Sequence, residues 1–270
     1  MPSFVPSFES LNLLAFLLSV ALLGCASYSD LKTREASDKI WMIYLSLAAL
    51  LLGLRLMLNP HLALIYSVSV VATVVISAVI FCLGLFGGAD LKAFICLSVA
   101  LPTNPLPLGS LLTPSPIFPV GVLYNAYLLS VSMILYCLGR NLVWMLGRRG
   151  GLFEGLGEIR SIEKIAAVLT GYKTDLNSLR DKVHLYPMEE ITVANNVPQR
   201  RLKIFTDVNE DRDRLVEVLE TSPIEGERKD VWVSPGIPLL FCSLLALLLN
   251  AFVGDILLWP VVGLVALVTG

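Results

Sequence analysis

Two acidic residues stand where apolar sequence gives way to charge. Asp30 lies in Ser27-Tyr28-Ser29-Asp30-Leu31-Lys32, and Asp90 lies in Phe86-Gly87-Gly88-Ala89-Asp90-Leu91-Lys92. An ionisable group at the edge of an apolar span is costly and usually has a function. Two carboxyls close enough to share a proton cannot both ionise easily, so one pKa rises and the other falls. One group can then accept a proton from water while the other donates to a departing amine. That is the minimal equipment of aspartic proteolysis. It needs no metal, no cofactor and no Ser or Cys nucleophile, and none is expected.

Other chemistry is weaker. His61 and His184 have no second His nearby in sequence and are read as structural. Cys25, Cys82, Cys96, Cys137 and Cys242 all lie in apolar runs without a C-x-x-C pair, so they are read as small buried hydrophobes. Asp207-Val-Asn209-Glu-Asp211-Arg212 begins like a calcium loop but has Arg212 at the sixth position and Val218 at the twelfth. Gly150–Gly157 is followed by no GKS/T, so it is not a phosphate loop.

The elements that must carry Asp30 and Asp90 follow from composition. The chain has 270 residues, 56% hydrophobic and only 16% charged, with mean hydropathy +0.75. Soluble domains carry about 25% charged residues. These figures exclude a disordered chain and an ordinary cytosolic enzyme. A net charge of −2 argues against nucleic acid as a partner. Residues 147–234 hold 14 of the 20 Lys+Arg and 16 of the 22 Asp+Glu, and the rest reads as membrane.

A helix needs about 20 apolar residues to cross the hydrocarbon core. The runs 11–29, 40–58, 63–86, 119–146 and 236–253 qualify, and Leu91–Leu101 makes a shorter sixth. The opening MPSFVPSFES has no basic region before the first run, so that run is expected to be kept as a span. Ile256–Val268 is short and contains Pro260, which fits a re-entrant helix or a tilted further span. The expected fold class is a polytopic α-helical membrane protein of about six transmembrane helices, with a small α+β cytoplasmic domain before the last span. The domains read as 1–146, 147–234 and 235–270.

Lys32, Arg34, Lys39, Lys92, Arg140, Arg148 and Arg149 lie on alternate sides of the spans from the Lys- and Arg-free loops 59–62 and 102–118. Positive loops stay cytoplasmic, which puts the N-terminus outside and 147–234 in the cytoplasm. Arg55, near the outer end of its run, is the one dissenter. Asp30 and Asp90 then share one membrane depth. Within 147–234, Gly150, Gly151 and Gly155 suggest a hinge. Apolar spacing over 158–170 (Ile159, Ile162, Ile165, Ala166, Leu169) predicts a helix stopped by Gly171. Ile191–Ala194 and Arg201–Asp207 read as strands, and Asn209 as the cap of a helix over Asp211–Glu220.

Gly87 and Gly88 would let a backbone approach closely, as an extended substrate requires, or would simply break the third span. Glu35 and Asp38 read as loop charges, Asp38 as a helix cap, or as contacts for basic residues ahead of a scissile bond. Lys32 and Lys92 read as side chains that reach to the interface; either would lower the pKa of a carboxyl it approached.

The strings S-D-L-K-T-R-E-A-S-D (29–38) and G-G-A-D-L-K (87–92) resemble the two signature regions of the type IV prepilin peptidase family, nearest to its archaeal preflagellin/prepilin branch. These are membrane aspartic proteases of the GxGD class. The resemblance implies that Asp30 and Asp90 are the catalytic pair. It also implies that the substrates are precursors with short, basic class III signal peptides, cut at the cytoplasmic face. Ala89 stands where the class has Gly and would resist a positive φ. Ala36 stands where a larger aliphatic residue is common. The Cys-rich loop of the methylating bacterial branch has no counterpart, so peptidase activity without methylation is expected.

Two other functions fit the composition. Carboxylates in a helical bundle can bind cations or relay protons in a transporter. Alternatively, residues 147–234 would be the docking module of a non-enzymatic assembly subunit. Membrane lipid is a partner on every reading, and the sequence does not speak to oligomeric state.

Overall fold

The computed structural model describes residues 7–33, 35–85, 87–106, 115–147, 151–154, 156–157, 159–176, 179, 182, 184–194, 197–203, 212–221, 230–236, 238–256, 258 and 260. Arg34, Phe86, Arg148, Arg149, Gly150, Gly155, residues 204–207, Asn209 and 261–268 lie outside them, and with them the calcium-like string and most of the terminal run. The chain forms two compact units, 1–130 with 238–270, and 131–237.

The first unit is helical. In chain order it contains α1 (Phe8–Thr33), α2 (Asp38–Leu58), a 3-10 turn (Pro60–Leu62), α3 (Ala63–Cys82), α4 (Gly88–Ala100) and α5 (Phe118–Ser130). The second unit opens with α6 (Ser132–Gly147). It continues with α7 (Ser161–Thr170), β1 (Tyr172–Asp175), β2 (Leu185–Pro187), β3 (Glu189–Ala194), β4 (Val197–Leu202), α8 (Arg212–Thr221) and β5 (Asp230–Pro235). Then α9 (Leu239–Phe252) returns to the first unit. Among the described residues, four stretches are long and apolar enough to cross a membrane: Phe8–Thr33, Asp38–Leu58, Pro60–Cys82 and Phe118–Gly147. The run 236–253 forms only the 14 residues of α9, and Leu91–Leu101 falls in the 13-residue α4.

Burial in α3 is inverted relative to a water-soluble helix. Leu64, Ile65, Val68, Val71, Val75 and Val79 are exposed, whereas Ser69, Thr73 and Ser77 are buried. Apolar side chains outside and small polar ones inside suit a lipid solvent, where small residues let helices approach closely. Cys25 and Cys82 are also exposed, correcting the expectation that all five cysteines are buried. The core of this unit joins Leu23, Tyr44, Phe94, Leu97, Val122 and Ala246, from α1, α2, α4, α5 and α9.

Helix α4 is about 20 Å long at 1.5 Å per residue, short of the roughly 30 Å hydrocarbon core. Its last carbonyls end among protein and must find donors there. Arg55 supplies one. Its guanidinium is 1% exposed and donates from Nη2 to Ala100 O at 2.6 Å, from Nε to Leu51 O at 3.3 Å and from Nη1 to Asn12 Oδ1 at 3.4 Å. Just past the helix, the Ser69 hydroxyl donates to Pro102 O at 2.6 Å. Arg55 departs from the loop-charge pattern because it serves a helix end.

In the second unit, β5 is the central strand of the antiparallel order β1-β5-β2, with Tyr172 opposite Val233 and Leu185 opposite Pro235. Strands β3 and β4 form a separate hairpin with Ile191 opposite Arg200. Trp232 is fully buried, stacks on Phe153 at 5.0 Å and donates its indole N–H to Leu152 O. Its backbone N–H is held by Glu189 Oε1 at 2.7 Å. The predicted helix over 158–170 forms as α7 and ends at Gly171, and β3 contains Ile191–Ala194. Of the strand expected over 201–207, Arg201 and Leu202 belong to β4 (Val197–Leu202), and residues 204–207 lie outside the described residues.

Candidate active site

The first candidate sits in the last turn of α1. Asp30 is half-buried. The chain leaves α1 through a turn fastened by hydroxyls: Ser29 Oγ donates to Glu35 O at 2.7 Å, and Thr33 Oγ1 donates to Ser29 O at 3.0 Å and Glu35 O at 3.2 Å. Ala36 and Ile40 pack against the core beyond it, so a small residue at position 36 is accommodated. The Glu35 side chain is exposed. Asp38 is the first residue of α2; Ser37 holds the cap position and makes no side-chain cap bond.

The second candidate sits in the first turn of α4. Gly87 is the N-cap residue, with φ −79° and ψ 159°, and its N–H donates to Asp90 Oδ2 at 3.1 Å. A Cβ at Gly87 would lie 3.1 Å from that same oxygen, so the missing side chain lets the carboxylate fold back over the helix start. A Cβ at Gly88 would meet nothing within 4 Å. Ala89 is inside the helix and packs on the core, so the conflict expected between Ala and a positive φ does not arise. A left-handed residue stands nearby instead at Gly84, at φ +71°, just past the end of α3. Gly84 N–H bonds to Phe81 O and Leu85 N–H to Ile80 O, the paired closure of a Schellman motif.

Asp90 lies outside the four long apolar stretches. Burial pushes its carboxyl up from 3.8 to about 6; the Gly87 N–H pulls it down, and the Asp30 charge adds a further upward push. Asp30 and Asp90 are sixty residues apart in the chain, and the helices that carry them pack together with α2 in one unit. Lys92 Nζ pairs with Asp38 Oδ1 at 2.5 Å, linking the first turns of α2 and α4. Both partners are well exposed, so the bond itself is worth no more than about 1 kcal/mol. Lys92 thus meets Asp38, where the sequence suggested lipid or a catalytic carboxyl.

A family model described as the type IV leader peptidase family matches residues 17–138, which include both Asp30 and Asp90. A second, described as archaeal peptidase A24 C-terminus type II, matches residues 163–256. The chain is thus similar to the type IV leader peptidase family over the segment that carries both acidic candidates. Among similar proteins, the "Preflagellin peptidase" of Methanococcus voltae is 25% identical over 249 residues, covering 88% of this chain and 94% of the relative. The "Preflagellin peptidase" of Methanocaldococcus jannaschii is 25% identical over 254 residues, covering 89% and 94%. At 88% and 89% of the chain, these matches take in residues of both units.

Proposed function

We propose that this protein is an aspartic endopeptidase whose catalytic pair is Asp30 and Asp90. Its substrates are archaellin- or type IV pilin-like precursors with short, basic class III signal peptides. The observation that carries the reading is that Asp30 and Asp90 stand on α1 and α4, helices that pack on each other inside the segment matched to the family.

Asp90 is the better proton holder, because burial disfavours its charge. Asp30 is then the base. Water loses a proton to Asp30 as its oxygen bonds to the scissile carbonyl carbon. The carbon–nitrogen bond breaks, and the departing nitrogen receives a proton from the carboxyl pair. Exposed Gly87 and Gly88 leave open space beside Asp90 for an extended peptide. Glu35, exposed in the turn after Asp30, faces the basic residues of the signal peptide; Asp38 already holds Lys92. The run Leu91–Leu101, which begins just past Asp90, and helix α9 complete a set of six membrane helices. The loop charges set the N-terminus outside, with both carboxyls and residues 147–234 on the cytoplasmic side.

A transporter would place its ionisable groups near mid-span, whereas these stand at helix ends. The test is cleavage of a preflagellin precursor in membranes. Asp30→Asn and Asp90→Asn are each expected to abolish it while the protein stays folded, and a chelator is expected to leave the wild type unaffected. Normal cleavage by either variant would overturn the assignment.

A further inference from the structure

Helix α7 departs from its expected role. Its apolar spacing predicts a face turned into a core, yet Ile162, Ile165 and Leu169 are 65%, 56% and 36% exposed. They fall at i, i+3 and i+7, one continuous stripe. The helix is held instead by Ala167, fully buried against Met188 and Trp232.

What α7 packs against identifies the stripe's surroundings. The Asn141 side chain of α6 is buried and donates to Val168 O at 3.3 Å and Gly171 O at 2.9 Å, and its oxygen accepts from Lys173 N–H at 3.3 Å. The C-terminal end of α7 is therefore fastened to α6 at Asn141. Helix α6 belongs to the apolar stretch Phe118–Gly147. Beyond Asn141 it still exposes Leu142, Val143, Met145 and Leu146, the last at 80%. The attachment point thus lies short of the end of a span, at a level where the span's own side chains are still apolar and outward. Leu169 stands beside the attachment, and Ile165 and Ile162 extend the stripe along α7.

Charge agrees. Arg160, Lys164 and Arg201 line an open cleft of about 580 Å³ beside the N-terminal half of α7, with Glu163 the one acidic residue in its wall. Glu163 is occupied by Arg160, which donates to its Oε1 from Nε at 2.9 Å and from Nη2 at 2.5 Å. An outward apolar stripe with cations on the other side of the helix is the pattern of an amphipathic helix lying in a membrane interface.

We propose that α7 lies in the lipid headgroup layer, with Ile162, Ile165 and Leu169 against acyl chains and Arg160, Lys164 and Arg201 toward anionic phosphates. The second unit is then held to the bilayer along its flank as well as through the chain.

The test uses the full-length protein in vesicles of equal parts phosphatidylcholine and phosphatidylglycerol. Cys25→Ser and Cys82→Ser remove the exposed thiols, since the other three cysteines are buried. A nitroxide is then attached at Ile162→Cys, Ile165→Cys or Leu169→Cys, and its collisions with oxygen and with a neutral nickel chelate are compared. Oxygen is expected to dominate at all three positions. Replacing Lys164 and Arg201 together with Gln is expected to lower that ratio in these vesicles and leave it unchanged in pure phosphatidylcholine. Nickel collisions dominating would show the stripe in water. Low access for both reagents would show it covered by protein. Either result overturns the proposal, as does a ratio insensitive to the double substitution. None of these readouts depends on cleavage.

Discussion

The two ends of α4 solve the same problem in opposite ways. Every helix leaves backbone groups without intrahelical partners. At its first turn, exposed Gly87 and the half-buried Asp90 cap the helix beside water, and the neighbouring Lys92–Asp38 pair is solvated. At its last turn a fully buried guanidinium serves the carbonyl of Ala100, and just past the helix a buried serine hydroxyl serves that of Pro102. One end can afford a carboxyl that gains and loses a proton. The other requires a charge that never changes, which is why Arg and not Lys suits position 55.

This contrast is open to test. The largest effect belongs to the wet end: Asp30→Asn and Asp90→Asn are expected to slow precursor cleavage by about 10³-fold or more, measured in membranes at equal protein. Next comes the dry end. Arg55→Met leaves the Ala100 carbonyl buried without its donor, at a cost of about 1–3 kcal/mol in stability. A lowered thermal midpoint in detergent would register it, with cleavage falling only in step with the folded fraction. If Arg55→Met left the midpoint unchanged, the capping role would be wrong.

A third expectation concerns pH. The Asp90 carboxyl is raised in the folded protein from 3.8 to about 6. Its stabilising contribution is therefore complete below the unfolded value and is lost as pH rises through about 6. Stability measured from acid toward neutral pH is expected to decline in that window in the wild type, and this component of the decline is expected to vanish in Asp90→Asn. Cleavage, needing the proton on Asp90, is expected to weaken over the same rise. The smallest effect is at the surface: Lys92→Ala or Asp38→Ala is expected to change stability by less than about 1 kcal/mol. A double-mutant cycle on the unfolding midpoint measures the coupling.

How much of this the chain announces differs by region for physical reasons. The four long spans were legible because lipid demands long apolar runs, and α1, α2 and α3 start or end within a few residues of the expected limits. The shortness of α4 and α9 was not, since an apolar run does not say where a helix stops. Asp30 and Asp90 were legible as a pair only through their motifs. The hydrogen bond from Gly87 and the pairing of Lys92 with Asp38 depend on packing between helices remote in sequence. Arg55 carried a signal as a cation on the wrong side, yet its partner is a backbone carbonyl that no residue type identifies. In the second unit, β1 and β5 were not anticipated. They bury Lys173 against Asp230 at 2.6 Å, and charged residues of that kind ordinarily mark a surface. The α7 stripe was legible as an apolar face but not as an exposed one, because periodicity does not reveal which solvent a face meets.

The most direct measurement asks whether the two acidic positions meet at one end of the helical unit. In a Cys25→Ser, Cys82→Ser background, Asp30→Cys and Asp90→Cys introduced together would be treated with a short homobifunctional thiol reagent in native membranes. The account predicts an intramolecular bridge that forms readily, located by mass spectrometry between the two peptides. Both thiols reacting separately, with no bridge at any reagent length short of the membrane's thickness, would contradict it.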